Sequence, residues 1–145
     1  MTPLVSTRLV EWGDCDAAGI VYYPNYYRWM DAAFHAMTAA IGFDHRSLGA
    51  EHGLLGTPLV DTGCTFSAPA TFGDVLTVTP TILGLGETSI RLAYDFHRGD
   101  TLTAPGREAR VFVRSEGGSI AKVAIPAAIR AVLAPLVAAP SAQNR

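Results

Sequence analysis

Cysteine is scarce in this chain of 145 residues, which has two, Cys15 and Cys64. Two thiols cannot make a disulfide framework, and without a CxxC or a Cys/His cluster they point to no zinc site. The four histidines, at 35, 45, 52 and 97, show neither HxxxH nor HxH spacing. An excess of charge is also missing. Eleven basic and 13 acidic residues are interspersed and leave a net charge of −2, so bulk electrostatics do not favour nucleic acid. No apolar run reaches the length of a membrane-spanning helix. The N-terminal MTPLVSTRLVEW lacks the basic region and apolar core of a secretion signal, and the cytoplasm is the expected compartment. There is no GxSxG elbow. The densest glycine pattern, GLGET at 84–88, lies between strand-like segments and does not open a helix as a phosphate loop would.

What is present is an apolar chain, 49% hydrophobic, of a size that suits one domain. That domain is expected to span residues 1–137, with a flexible tail over 138–145. The chain is organised around residues 10–42. Residues 4–12 read as a strand, 13–19 as a turn rich in acid and glycine. Pro24 suits the first position of a helix, where its missing N–H costs nothing. Tyr26, Met30, Ala33, Met37 and Ile41 recur on one face of that helix, and Arg28, Asp31, His35 and Thr38 on another. Gly42 ends it.

Residues 43–58 read as irregular, with a short helix near Arg46 to Glu51. Strands follow at 59–68, 75–83, 88–97 and 107–114, and GluGlyGly at 116–118 makes a hairpin to a strand at 120–125. Pro80 suggests an edge position or a bulge, and 98–106 reads as a loop. A short helix interrupted by Pro135 closes the pattern. One helix followed by antiparallel strands describes an α+β domain with the helix covered by the sheet. Such a sheet has edges to protect, and pairing of edges between two copies is expected.

Asp16 is the leading candidate for chemistry. It lies before a helix N-terminus, with no basic residue within ten positions on its C-terminal side. Helix N-termini present amide N–H groups that stabilise an oxyanion. The same aspartate also reads as an ordinary turn residue bonding its own backbone, and so does Asp14. Cys15 stands between two acids, which raise a thiol pKa and disfavour a nucleophile. Cys64 reads as core. Asp31 and His35 are one helical turn apart and within reach of each other.

The run GDCDAAGIVYYPNYYRWMDAA at 13–33 resembles the signature of the hotdog-fold acyl-CoA thioesterases, and more narrowly of the 4-hydroxybenzoyl-CoA thioesterase branch. GTPLV at 56–60, FSAPATFGDVLTV at 66–78 and ARVFV at 109–113 continue it in order, so it spans roughly Val10 to Pro126. The resemblance implies a hotdog fold, an antiparallel sheet of five or six strands wrapped around one long central helix. It implies a homodimer with active sites at the subunit interface, often paired again into a tetramer, and no cofactor or metal. The implied reaction is hydrolysis of an acyl-CoA thioester, with an aromatic acyl group such as 4-hydroxybenzoyl as the expected substrate. Asp16 takes the catalytic position, as nucleophile or as base for water. Tyr23 takes the position whose backbone N–H polarises the thioester carbonyl. Asp31 matches the residue that meets the 4-hydroxyl from the partner subunit. Thr57 matches a residue close to the acyl pocket, and Ser89 is a candidate nucleotide-side contact.

The chain departs from that pattern in the turn at 84–89, which carries no Arg or Lys for the CoA phosphates, and at Ser119 and Ala121, where the branch has arginines. Arg91, Arg114 and Lys122 are the available replacements. Other readings are a thioesterase for short or medium aliphatic acyl groups, one that takes its substrate from an acyl carrier protein, and a non-catalytic acyl-binding hotdog protein. A hydratase would want a histidine at the start of the helix, and none of the four stands there.

Overall fold

The computed structural model describes residues 4–140. Its long helix, α1, spans Pro24–Ala40. Five of these 17 residues are alanine, the strongest helix former, and Pro24 fixes the first turn. The helix stops in a Schellman turn. Phe43 N–H donates to the Thr38 carbonyl (2.9 Å) and Gly42 N–H to the Ala39 carbonyl (3.3 Å). Gly42 takes φ +104°, which a side chain would resist. A second helix, α2 (His45–His52), is capped by Asp44, whose carboxylate accepts the Ser47 N–H.

Seven strands follow the order β1 (Ser6–Leu9), β2 (Leu59–Cys64), β3 (Val75–Leu85), β4 (Ser89–Arg98), β5 (Thr101–Val111), β6 (Val113–Glu116) and β7 (Ser119–Lys122). Five form one antiparallel sheet in the order β1-β3-β4-β5-β2, and β6-β7 form a separate hairpin. Helix α3 (Ala127–Leu133) follows, then a 3-10 turn at Ala134–Leu136 that contains Pro135. This is the α+β hotdog architecture: α1 lies on one face of the sheet. Leu76, Val78 and Ile82 of β3 and Ile90, Leu92, Tyr94 and Phe96 of β4 alternate into the core. Met30, Phe34 and Met37 of α1 meet them, and each buried side chain contributes ~1.5–3 kcal/mol. Gly106 of β5 allows the closest approach, since a Cβ there would lie 2.4 Å from the Met30 sulfur.

Several expected elements are redrawn. The first strand is four residues long and gives way to a 3-10 turn at Trp12–Asp14. The buried stripe of α1 is wider than expected and includes Trp29, Phe34 and Thr38. The segment read as a loop at 98–106 is mostly β5, because Gly99 and Asp100 alone make the turn between Arg98 and Thr101. Pro105 fits there because the β2 ladder ends at Cys64 opposite Gly106, and beyond it β5 supplies carbonyls, to Thr65, Ser67 and Ala68 N–H, where no N–H is needed. Pro80 lies in an interior strand, past the point where β1 stops pairing at Val78, so its missing N–H faces no partner strand. Residues 65–68 lie outside β2, and Val60 and Phe66 are exposed. The tail expected over 138–145 falls mostly on residues 141–145, outside those described.

Candidate active site

The loop before α1 is fixed at several points. Asp14 Oδ2 accepts the Glu11 N–H (2.8 Å), and Arg28 Nη2 approaches Asp14 Oδ1 at 3.3 Å. The Asp14 carbonyl accepts both the Tyr22 N–H (2.8 Å) and Asn25 Nδ2 (2.8 Å). Asn25 therefore ties the first turn of α1 to the loop, which explains Asn directly after Pro in this motif. Asp16 sits in the turn so anchored. Its Oδ1 accepts the Ala18 N–H at 2.8 Å, the short-range bond expected of a turn aspartate. Among the described residues its Oδ2 accepts no hydrogen bond, and the residue is exposed. Gly19, at φ +79°, returns the chain, with its N–H on the Asp16 carbonyl.

Asp16 and Tyr23 line one hollow of about 400 Å³, walled by Tyr26, Phe66 and the 67–70 segment. Tyr23 is the residue before Pro24, at the N-terminus of α1. Its own N–H donates to no protein acceptor among the described residues, while Asn25 and Tyr26 N–H bond the carbonyls of Tyr22 and Tyr23. The hollow thus joins a carboxylate to the residue at the start of α1 whose amide has no protein partner among the described residues. Apart from Ser67, the remaining walls are aromatic and apolar. Burial holds the Tyr26 phenol above its ordinary pKa, so it stays protonated.

Asp31 and Thr57 lie elsewhere, in a second hollow of about 370 Å³ that shares no lining residue with the first. His35, His45 and Arg110 also line it. His35 Nε2 is 3.6 Å from Asp31 Oδ1, the helical-turn pair expected from spacing. Ser89 lines neither hollow. It opens β4, its carbonyl accepts the Gly86 N–H (2.8 Å), and its Oγ covers Gly86 so closely that a Cβ there would lie 2.4 Å away. The turn at 84–89 receives a basic residue that sequence spacing does not reveal: Arg130 of α3 donates to the carbonyls of Gly86 (2.6 Å) and Glu87 (3.2 Å).

A buried charge cluster beneath the second hollow has no counterpart in the sequence reading. Arg110 is 3% exposed and Glu108 is 3% exposed, both on the face of β5 under α1. Arg110 Nε donates to Glu108 Oε2 (2.9 Å) and Nη2 to Oε1 (3.0 Å). The buried Tyr94 hydroxyl donates to Glu108 Oε2 at 2.7 Å. Arg110 Nη2 also reaches Asp31 Oδ1 (2.7 Å), Nη1 reaches the Thr57 carbonyl (3.2 Å), and the guanidinium carbon lies 4.2 Å from the Phe34 ring centre. Burial works against the Arg110 charge, but the bonds to Glu108 and Asp31 outweigh it and hold its pKa above the usual arginine value. Burial, and then the Glu108 carboxylate, push the Tyr94 phenol far up, so it serves as a donor. A signal existed: Glu108, Arg110 and Phe112 share one side of β5 and its continuation, so two charges follow the parity of an apolar residue.

The two thiols offer no competing chemistry of comparable strength. Burial pushes the Cys64 pKa up to about 11, which keeps it a thiol. Cys15 is half-buried, with Sγ 3.8 Å from the Glu11 carbonyl. Among the described residues no three His, Cys, Asp or Glu side chains gather as a metal site, and no helix is long and apolar enough to cross a membrane.

Comparison with known proteins adds three relatives. The family model described as Thioesterase-like superfamily matches residues 10–133. The 4-hydroxybenzoyl-CoA thioesterase of Pseudomonas sp. strain CBS-3 is 36% identical over 124 residues, covering 81% of this chain and 88% of that protein. Its solved structure superposes with a TM-score of 0.82 at 32% identity, over 88% of this chain and 96% of that one. The structure of a gentisyl-coenzyme A thioesterase gives a TM-score of 0.77 at 35% identity, over 90% of this chain and 98% of that one. The 1,4-dihydroxy-2-naphthoyl-CoA hydrolase of Synechococcus elongatus is 31% identical over 87 residues, 60% of this chain and 64% of that protein.

Proposed function

The chain belongs to the thioesterase-like superfamily and is an acyl-CoA thioesterase of hotdog fold, and from that premise we propose that it hydrolyses a hydroxylated aromatic acyl-CoA, such as 4-hydroxybenzoyl-CoA, through Asp16. One observation carries the role of Asp16: its carboxylate shares a hollow with the residue at the start of α1, whose N–H is vacant. The substrate class draws support from the three relatives, whose names all denote an aromatic acyl group with ring hydroxyls.

In this reading the thioester carbonyl oxygen lies on the Tyr23 N–H, where developing negative charge is stabilised by an amide and by the helix terminus. Asp16 then acts in one of two ways. Its carboxylate oxygen bonds the carbonyl carbon, the C–S bond breaks, and the electron pair leaves as CoA thiolate; water opens the resulting anhydride. Alternatively Asp16 takes a proton from a water that attacks the same carbon. A thiolate leaves readily, so little acid assistance is needed.

Asp31 and Thr57 line a separate hollow of the same chain, and a homodimer would bring that hollow to the partner's Asp16 side. Support for such a dimer comes from β2, an edge strand whose Leu59 and Val60 are 41% and 57% exposed. A dimer of dimers and a single domain over 1–137 belong to the same proposal.

A panel of acyl-CoAs tests the substrate class, with Asp16→Asn as the control. Hydroxybenzoyl-CoA should exceed octanoyl-CoA and butyryl-CoA in kcat/KM. A clear preference for the aliphatic chains would sink the aromatic assignment. Undiminished hydrolysis by Asp16→Asn would remove Asp16 from the mechanism. Trapping an acyl-enzyme, or following oxygen-18 into Asp16 in a single turnover, separates the two routes.

A further inference from the structure

The two residues assigned to acyl recognition, Asp31 on α1 and Thr57 in the loop after α2, are held by one side chain. Arg110 Nη2 bonds Asp31 Oδ1 at 2.7 Å and Nη1 bonds the Thr57 carbonyl at 3.2 Å. The guanidinium is fixed in turn by both oxygens of Glu108 and by the face of Phe34. Glu108 is fixed by Tyr94. We propose that Arg110 is the positioning residue of the acyl-recognition hollow, presenting Asp31 as a hydrogen-bond acceptor that selects a ring hydroxyl and rejects an anionic ring substituent.

Donor counting supports selection by acceptance. A guanidinium has five N–H groups. Four are engaged: one on Nε and two on Nη2 with Glu108 and Asp31, and one on Nη1 with Thr57. Arg110 is 3% exposed, so it has little left to offer an incoming anion. Asp31 is the reverse case. Both its contacts, with Arg110 and at 3.6 Å with His35, fall on Oδ1, and Oδ2 accepts nothing among the described residues. Its side chain is 51% exposed toward the hollow. With His35 neutral, the cluster of Asp31, Glu108 and Arg110 carries one more negative than positive charge, and Oδ2 is the Asp31 oxygen left without a donor. A neutral hydroxyl donor satisfies that oxygen, whereas a carboxylate in its place is repelled. Lysine at 110 would keep the charge but has no planar fork, so it cannot engage Glu108, Asp31 and the Thr57 carbonyl together in this geometry.

This inference rests on the proposed reading of Asp31, and the experiment distinguishes the two. The readout is the ratio of kcat/KM for 4-hydroxybenzoyl-CoA to that for benzoyl-CoA, measured for the wild type, Asp31→Asn and Arg110→Lys, with 4-carboxybenzoyl-CoA as the anionic probe. A site built around a hydroxyl loses discrimination when its acceptor is displaced, and the ratio should fall ~10-fold or more in both variants. Hydrolysis of the carboxylated ester, poor in the wild type, should improve relative to benzoyl-CoA in Asp31→Asn. If Asp31→Asn lowers the ratio and Arg110→Lys does not, the Arg110 proposal is wrong and the Asp31 reading stands. Equal losses for both esters in Arg110→Lys also overturn it, because a purely structural residue would act that way. A wild type indifferent to the hydroxyl overturns both. Should Arg110→Lys fail to fold by circular dichroism and gel filtration, the neutral pair Glu108→Gln/Arg110→Gln replaces it and carries the same expected fall in ratio.

Discussion

The two hollows are each built around a carboxylate, and the two carboxylates are held in opposite ways. Asp16 is exposed and anchored by one amide, from Ala18, within its own turn. The loop around it is secured at Asp14, whose carbonyl takes the Tyr22 and Asn25 donors and whose carboxylate takes the Glu11 N–H and faces Arg28. Asp31 is gripped by a buried guanidinium whose other engaged donors bond a buried glutamate and a backbone carbonyl. Those arrangements suit different tasks. A carboxylate that must attack carbon or take a proton needs an oxygen without a strong cation on it, since a cation stabilises the anion it would have to give up. A carboxylate that only reads a hydroxyl gains from a rigid partner that fixes its direction.

The comparison breaks most directly at Asp16. Asp16→Asn keeps the Asx-turn acceptor but removes the nucleophile or base, and kcat should fall ~10³-fold or more with the secondary structure intact. Steady-state hydrolysis followed by thiol release, beside a circular dichroism spectrum, checks it. A loss below tenfold would make the two carboxylates alike. At the second hollow the expected loss is in stability. Arg110→Met leaves Glu108 buried without its cation, and removing one partner of a buried pair costs ~3–5 kcal/mol. Urea unfolding measures this. A variant as stable as the wild type would mean that water reaches Glu108, and that the second site is no more rigid than the first.

The legible part of this molecule was set by local rules. Pro24, the alanines and Gly42 place α1 to within a residue of its expected end. The two glycines of 116–118 make the β6-β7 turn, both at positive φ. Asp16 and Tyr23 were expected to work together, and they line one hollow. What could not be read depended on partners distant in sequence. Pro105 and Gly106 suggested a loop because nothing local reveals that β2 stops pairing there. Glu108 and Arg110 were legible only as part of a strand: their parity with Phe112 hints at an inward direction, but the partners that explain it, Asp31, 79 positions from Arg110, and the Thr57 carbonyl, 53 positions away, are distant in sequence. Asp31 itself was legible as a residue of interest, but not the side chain that holds it.

A smaller effect should separate the loop from the chemistry it carries. Asn25 touches the Asp14 carbonyl and lines neither hollow. Asn25→Ala removes that tie, so Asp16 should wander relative to the Tyr23 amide. We expect kcat to fall ~10-fold with ~1 kcal/mol lost in stability, and KM to change little. The same change should leave the ratio of 4-hydroxybenzoyl-CoA to benzoyl-CoA hydrolysis where it was if recognition belongs, as proposed, to the other hollow. A shift in that ratio would show that the two regions are coupled.

The smallest expected effect is on stability against pH, and it arises in the strand that leads to the first hollow. Cys64 ends β2, two residues before Phe66 in the hollow wall, and its folded pKa is pushed by burial from 9.0 up to about 11. The folded protein therefore prefers the neutral thiol, while the unfolded chain ionises first. Stability from this group is fully present below pH 9 and is lost as pH rises through about 11. Because the thiol is only half-buried, solvent screening limits the loss to on the order of 1 kcal/mol. Urea unfolding at pH 8 and at pH 10.5 should reveal it as a difference between the wild type and Cys64→Ser, whose hydroxyl does not titrate in that range. Identical pH slopes for the two proteins would place the alkaline weakness away from Cys64, and would leave the first hollow resting on a more pH-tolerant strand than the half-buried thiol implies.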